Sequence, residues 1–319
     1  MAHKTLVGGT AYNISGGKSM VSGTVYNIKG GKTLIDGTAY SISLGVEILP
    51  VLNDNDWATI SEVSQSGQAA NYWSVGDTKQ IIISGTVGQT TFSDLSVWSF
   101  ILGFNHNSAK EGNNTIHFQI GKTAQTGGTD VCLTDSRYNS SALSTAGYFT
   151  MNYSSTNIGG WGGSEMRNTL LGNNNTPASP LSGSLIAALP SDLRAVMKGV
   201  TKYSDNTGGG NNIASYVTAT TDYLWLLAEC EVFGPSYGYS GYGYANDAEK
   251  NYQQQYDYYA NGNSKVKYRH SATSSAALWW LRSVFTKSSS IFICINTSGS
   301  LGTNYVSYYS RGVAPAFCV

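Results

Sequence analysis

Apolar and polar positions alternate through the first 45 residues in a pattern that recurs every 14, in units opening on Lys4, Lys18 and Lys32. Each unit carries one apolar residue early and a Tyr-x-Ile pair late: Leu6, Tyr12 and Ile14, then Met20, Tyr26 and Ile28, then Leu34, Tyr40 and Ile42. Period-two alternation punctuated by glycine predicts two short strands around a turn in every unit. Three such hairpins have almost nothing of their own to pack against. Repeats of this size need stacking, a neighbouring domain or other copies of the chain to bury an apolar face. Residues 1–45 therefore read as an all-β attachment and oligomerisation module. A flexible linker would not carry Tyr and Ile at fixed places.

The pattern changes from residue 46 onward. Asp56 is placed to cap a helix with Trp57, Ile60 and Val63 on one face. Strand-like runs follow at residues 80–87, 97–104 and 115–122. Residues 160–171 read as a helix with Met166 and Leu170 inward, and residues 184–200 as a second, restarted at Pro190. The apolar run 223–233 reads as a buried strand, and 247–259 as a helix with Tyr252, Tyr256 and Tyr259 on one side. Strands are predicted again at 276–282, 290–296, 301–309 and 312–319, with Thr297-Ser298-Gly299-Ser300 as a hairpin turn. Helices in the middle and strands at the end predict an α+β domain over residues 46–319.

Composition narrows the partners. Lys+Arg and Asp+Glu both number 19, so the formal net charge is zero. A protein that grips nucleic acid through phosphates carries a basic excess, so nucleic acid is excluded as a partner class. Charged residues make up 12% of the chain, which leaves little colloidal repulsion and suits a protein held in an assembly. Polar character comes instead from 37 glycines, 22 tyrosines and abundant Ser, Thr and Asn, the mixture of turns and contact surfaces. No apolar stretch follows the basic N-terminal residues, so no cleavable signal peptide is expected. The run 224–233 is too short to span a bilayer and is interrupted by Glu229 and Glu231, so no membrane insertion is expected.

Little in the chain points to catalysis. Cys132, Cys230, Cys294 and Cys318 show no metal-type spacing and read as reduced, at least partly buried thiols. His3, His106, His117 and His270 have no tight ligand spacing. Asp54-Asn55-Asp56 lacks the glycine-bearing loop and distal Glu of a calcium site and reads as a loop and helix cap. Glu165, Glu229 and Glu231 offer carboxylates for an acid–base pair, as almost any chain does. There is no nucleophile elbow and no phosphate loop. The expectation is a non-enzymatic binding protein without metal or cofactor.

Three C-terminal motifs are specific in combination: Leu278-Trp279-Trp280-Leu281-Arg282-Ser283, Asn296-Thr297-Ser298-Gly299, and Arg311-Gly312-Val313-Ala314-Pro315-Ala316-Phe317. Together they resemble bacterial and phage proteins with a C-type-lectin-like fold, some of them variable targets of diversity-generating retroelements. Tyr72-Trp73-Ser74-Val75-Gly76-Asp77, Ile101-Leu102-Gly103-Phe104-Asn105-His106 and Asp192-Leu193-Arg194-Ala195-Val196 fit the same family, so the resemblance covers residues 50–319. The 14-residue repeats resemble N-terminal segments of phage tail or receptor-binding proteins.

The resemblance implies a C-type-lectin-like ligand-binding domain that displays a patch over residues 284–311. The implied contact residues are Val284, Phe285, Ser288, Ser289, Ser290, Ile291, Cys294, Gly302, Asn304, Tyr305, Ser307, Tyr308, Tyr309 and Arg311. Retroelement targets are rewritten at adenines in chosen codons, and these residue types are compatible with that. Tyr supplies stiff contact area and Ser, Gly and Asn adaptable hydrogen bonds, as in antibody paratopes. A strand shows only every second side chain to one face, so about half of the patch should face a ligand; Ile291, Ile293 and Ile295 include a core face that the sequence leaves open. Residues 237–244, where Tyr alternates with Gly or Ser, form a second candidate patch.

The implied protein is a virion component at a tail tip or fibre, made in the host cytoplasm, that binds a host cell-surface receptor, protein or glycan. It would join other tail proteins through residues 1–45 and form a homo-oligomer, a trimer by family analogy. The alternatives are a structural virion protein that uses the patch as a subunit interface, and a bacterial surface adhesin. The same broad fold includes formylglycine-generating enzymes, which need an active-site cysteine pair; here Cys294 and Cys318 would have to supply it from adjoining strands.

Overall fold

The computed structural model describes residues 47–134, 148–235, 244–303 and 307–319, together with strand pairing within residues 3–43. The chain divides into two compact units, Met1–Leu49 and Pro50–Val319.

In the first unit β1 (His3–Val7) pairs with β2 (Thr10–Ile14), β3 (Gly17–Val21) with β4 (Thr24–Ile28), and β5 (Gly30–Ile35) with β6 (Thr38–Ser43), all antiparallel. The sequence repeat is thus a pairing repeat. Thr5 faces Tyr12, Ser19 faces Tyr26 and Thr33 faces Tyr40 in equivalent registers. Gly8-Gly9, Ser22-Gly23 and Asp36-Gly37 stand between the paired ends, two-residue sequences of the kind that tight hairpins favour.

The second unit is α+β. Its strands are β7 (Thr78–Val87), β8 (Thr90–Phe104), β9 (Ile116–Lys122), β10 (Val131–Cys132), β11 (Val200–Asp205) and β12 (Val217–Asp222). They continue with β13 (Lys267–Arg269), β14 (Ala272–Ala277), β15 (Trp279–Val284), β16 (Phe292–Ile295), β17 (Leu301–Gly302) and β18 (Ala316–Cys318). The largest sheet is antiparallel in the order β18-β9-β8-β7. The helix Trp57–Gln65 packs on it, capped as expected by Asp56, whose Oδ1 accepts the Thr59 N–H at 2.7 Å. Trp57 meets Phe118 edge-on at 5.5 Å and Phe317 at 5.7 Å, while Phe118 and Phe317 stack at 5.2 Å across the β9–β18 pair. Such aromatic contacts add stabilisation beyond area burial.

A second sheet, β15-β16-β17, is joined to the first through the closing segment 312–319. Gly312 bridges to Trp279, Val313 to Leu133 and Ala316 to Trp225. Any Cβ at Gly312 would collide with the Cys132 Sγ, so only glycine lets this segment through. The hairpin β11–β12 and the sheet β10-β13-β14 complete the unit. Among the described residues no helix is long and apolar enough to cross a membrane.

Several predicted elements are shorter or of another kind. Residues 160–171 form one turn, Gly160–Gly163, then a π-helical turn, Met166–Leu171; the backbone extends at Ser164 between them. Residues 184–200 hold two single turns, Leu185–Ala188 and Ser191–Arg194, separated at Leu189-Pro190. Residues 223–233 are not a strand: Trp225 makes one isolated bridge, and Glu229–Phe233 is a helix whose Glu231 Oε2 accepts the Ala228 N–H at 2.9 Å. A continuous apolar run marks burial on all sides and does not distinguish strand from helix. Residues 247–259 hold only a 3-10 turn at Asp247–Asn251 and the start of a helix at Asp257–Ala260. Among the described residues the strand expected at 301–309 is Leu301–Gly302, and that at 312–319 is Ala316–Cys318.

Candidate ligand-binding surface

Every residue of β15 is buried, which fixes the base from which the C-terminal patch springs. Trp279 Nε1 donates to the Lys265 carbonyl at 3.0 Å and Trp280 Nε1 to the Phe149 carbonyl at 3.0 Å. Arg282 Nε donates to Ser204 Oγ at 2.8 Å, and its guanidinium forks onto both oxygens of Glu231. The planar fork suits a carboxylate and fixes the orientation of both groups. Beyond this anchor the chain turns through residues 285–291, and the turn closes where Phe285 N donates to the Ile291 carbonyl at 3.0 Å.

Two buried polar residues hold that turn from beneath. Asn157 Nδ2 donates to the Ser288 carbonyl at 2.7 Å and the Ile291 carbonyl at 2.9 Å, and Asn157 N to the Ser289 carbonyl at 2.7 Å. Asn157 Oδ1 accepts the Gly209 N–H at 2.9 Å, which ties the turn to the glycine loop after β11. Asp205 in turn accepts from Thr207 N at 3.0 Å, Gly208 N at 2.8 Å and Asn246 Nδ2 at 3.0 Å. Gly208 has φ +68°, and a Cβ there would strike the Asn157 carbonyl, so glycine is required. Ser307 is the second support. Its N–H donates to the Ser290 carbonyl at 2.9 Å, its hydroxyl donates to the Ser154 carbonyl at 2.8 Å, and that hydroxyl accepts the Thr156 N–H at 3.0 Å.

The implied contact residues divide accordingly. Ser289 is exposed, and Phe285, Ser288, Ser290, Ile291, Gly302, Tyr308 and Tyr309 are half-buried with part of their surface open. Tyr308 and Tyr309 meet edge-on at 5.0 Å, which stiffens both rings. Val284, Cys294, Ser307 and Arg311 are buried, a correction to their reading as surface contacts. The physical reason is that β16 is covered on both faces: Phe292, Ile293, Cys294 and Ile295 are all buried. Alternation therefore exposes nothing along this strand. Arg311 lies under the Tyr309 ring, 5.0 Å from its centroid, and acts as a support. Asn304 and Tyr305 lie outside the described residues, as does the second patch except for Tyr244. Tyr244 is half-buried; its carbonyl accepts the Thr286 N–H at 3.0 Å and its ring lies 6.4 Å from that of Phe285.

Sequence reasoning missed Asn157, Asp205 and Ile158. The signal was the Gly208-Gly209-Gly210 triplet, which marks a backbone that must approach something closely. Ile158, 67% exposed, stands beside the clamp. Lys287 is the one formal charge in the turn 285–291.

Titratable groups are gathered in the core instead. Lys202 Nζ donates to Glu111 Oε2 at 2.7 Å, Glu231 Oε1 at 3.1 Å and the Tyr256 hydroxyl at 3.0 Å. His106, Glu111 and Glu231 place one potential ligand atom each within 4.8 Å of the others. The Lys202 ammonium already bonds both carboxylates, so a cation would have to displace it, and the donor set does not fit a resident metal. Burial pushes the Glu111 carboxyl up to about 7 and the Glu229 carboxyl up to about 8, and holds His106 down at about 3. Arg282 and Lys202 together hold the Glu231 carboxyl well below the usual range, against its burial. Glu229 and Glu231, proposed from sequence as possible acid and base, are both fully buried.

All four cysteines are free and buried. Cys294 lies in β16 and Cys318 in β18, strands of different sheets rather than adjoining ones, and burial pushes both thiols up, Cys318 to about 12. Thiolate is the reactive form of cysteine, so these two make a poor redox or nucleophilic pair.

A family model described as a domain of unknown function (DUF6273) matches residues 138–319, the stretch that holds β15, the clamped turn and the closing segment. No curated protein and no solved structure matches the chain.

Proposed function

The chain belongs to the DUF6273 family over residues 138–319; from its C-terminal motifs and the clamped turn we propose that it is a non-enzymatic binding protein of a phage virion. Its second unit is a C-type-lectin-like domain at a tail tip or fibre, and residues 285–291 with Tyr308 and Tyr309 contact the host surface. The first unit attaches the chain to the particle and to other copies. Linked copies raise effective concentration, so a weak patch gains about 10²–10⁴ in avidity.

One observation carries this reading. An almost uncharged turn rich in Ser, with two Tyr beside it, is held open to solvent by buried Asn157, Asp205 and Ser307. Pre-organised backbone beneath adaptable Ser and Tyr contacts is the physics of a paratope.

The test uses the fluorescent full-length protein on a panel of bacterial strains, read by flow cytometry. Ser289→Lys combined with Tyr308→Ala and Tyr309→Ala should abolish binding, whereas Thr91→Lys, on an exposed hairpin elsewhere, should leave it intact. Equal binding by the triple variant and the parent would overturn the reading. Loss of virion assembly with unchanged cell binding would assign the patch to a subunit interface. Diversification is checked separately in the gene's neighbourhood, where a reverse transcriptase and a near-copy of codons 278–319 differing at adenines are expected.

A further inference from the structure

The turn between β7 and β8 borders a cavity of about 350 Å³, apart from the residues assigned to the candidate surface. Gln89, Thr90, Phe92, Thr134, His270 and Ser271 line it. The volume falls at the small end of the range of about 300–1,000 Å³ for small-molecule sites. Side chains alternate between the faces of β8 as it passes. Thr90 and Phe92 share the cavity face. Thr91, also at the wall, turns its side chain to the other face, where its hydroxyl lies 3.1 Å from that of Thr86. Phe92 is 4% exposed, closed in by the His270 ring at 6.0 Å and the Phe149 ring at 6.2 Å, and forms an apolar floor.

The polar groups of this cavity lack partners. Thr90 Oγ1 and Thr134 Oγ1 are shielded from solvent yet make no hydrogen bond, and Thr134 is 3% exposed. A buried hydroxyl left unpaired destabilises a fold, so two around one cavity call for a reason. His270 is held by Nδ1, which lies 3.1 Å from Thr134 N and 3.3 Å from the Cys132 carbonyl. The Thr134 N–H can only donate, so Nδ1 accepts and the ring proton stands on Nε2, away from that anchor. Burial holds the imidazole below its usual range, so it is neutral at pH 7. Among the described residues no charged side chain lines the cavity. A larger cavity of about 510 Å³ beside Pro50 differs in this respect. Its Lys122 is paired with Asp130, its Asp77 with the Ser74 N–H and its Thr78 with the Gln125 carbonyl.

We infer that the cavity beside His270 binds one ring of a neutral saccharide. Hydroxyl side chains both donate and accept, which matches a ligand whose own groups do the same. Thr90 and Thr134 exchange hydrogen bonds with ring hydroxyls, and His270 Nε2–H donates to a third oxygen. The ligand thereby supplies the partners that the two buried hydroxyls lack within the fold. Phosphate and carboxylate ligands are recognised by cationic side chains, and this lining holds none. A planar base would need an open aromatic face, and Phe92 is closed in by its neighbours. The inference stands apart from the receptor-binding reading, because it is tested on free sugars rather than on cells.

The full-length protein is titrated calorimetrically at pH 7.5 with glucose, galactose, mannose and N-acetylglucosamine in turn. At least one should bind saturably, with a Kd of about 1 mM. Thr134→Val keeps the shape and deletes an unpaired hydroxyl, so the melting temperature should hold or rise while affinity falls about tenfold or more. A purely structural hydroxyl would not give that combination. Ser271→Trp, from an exposed position at the rim, should abolish binding without touching the core. The proposal is overturned if none of the four sugars binds, or if either variant binds at the parent's strength. A lower melting temperature in Thr134→Val overturns it too, since the hydroxyl would then be bonded within the fold. So does a hexose 6-phosphate that binds as tightly as the hexose itself.

Discussion

Removing the charge of Glu231 should cost this protein more stability than any change on its surface. Glu231 Oε1 accepts from Arg282 Nη2 at 3.0 Å and from Lys202 at 3.1 Å, while Oε2 accepts from Arg282 Nη1 and from Ala228 N at 2.9 Å. All three charged side chains are without exposed surface. Glu231→Gln keeps the size but leaves two buried cations facing Glu111, whose own carboxyl is pushed up to about 7. Removing one partner of a buried pair costs about 3–5 kcal/mol, against a typical domain stability of about 5–15 kcal/mol. Arg282→Met removes one cation, and Glu231 keeps Lys202 and the Ala228 N–H, so its cost should fall at the lower end of that range. The double variant should cost less than the two singles together, by about 0.5–3 kcal/mol, because the partners are in direct contact. Urea unfolding at pH 7.5, followed by the fluorescence of the buried Trp225, Trp279 and Trp280, measures all four proteins. The reasoning fails if Glu231→Gln loses less than about 1 kcal/mol, if Arg282→Met proves the costlier single change, or if the two effects simply add.

Three further outcomes follow from the same geometry. The Glu229 carboxyl keeps its proton to about pH 8, against 4.5 for a free one, so the folded state binds more protons in that window and its stability falls as pH rises through it; Glu229→Gln cannot titrate, and its melting temperature should gain on the parent's from pH 6 to pH 9. Ser307→Ala removes the hydroxyl bonds to Ser154 and Thr156 from a buried site and should cost about 1–3 kcal/mol, with faster amide exchange at Thr156. Gly208→Ala forces a side chain onto a left-handed backbone against the Asn157 carbonyl and should destabilise by about 1–3 kcal/mol in thermal melts.

What could be read from the sequence was what short-range pattern controls. The 14-residue spacing of Lys, Tyr and Ile became three hairpins in equivalent register, and the alternation in residues 80–87 became β7. Asp56 caps its helix because the cap lies within three residues of what it bonds. Helix lengths were overread where glycine or proline interrupts an apolar period, as at Gly162-Gly163 ahead of extended Ser164 and at Pro190. The supports of the patch were illegible for a different reason. Asn157 reaches Ser288 across 131 positions and Arg282 reaches Glu231 across 51, and no local period encodes such meetings. The burial of β16 on both faces was equally hidden, since alternation presumes one open face and a doubly covered strand has none.

That double covering has a consequence for the segment 284–311. Its residues serve two incompatible tasks: Val284, Cys294, Ser307 and Arg311 hold the turn, whereas residues 288–291, Tyr308 and Tyr309 present it. A change at Ser289 meets solvent, and surface changes of that kind cost about 0.5 kcal/mol or less. A change at Cys294 meets a packed strand, and one at Ser307 removes the bonds its buried hydroxyl makes with Ser154 and Thr156, so each costs several times as much. Copies of this gene that differ within codons 284–311 should therefore differ at 288–291, 308 and 309 and agree at 284, 294, 307 and 311. Sequencing such copies decides the matter: substitutions spread evenly over both groups would mean that the buried residues do not position the turn as their hydrogen bonds indicate.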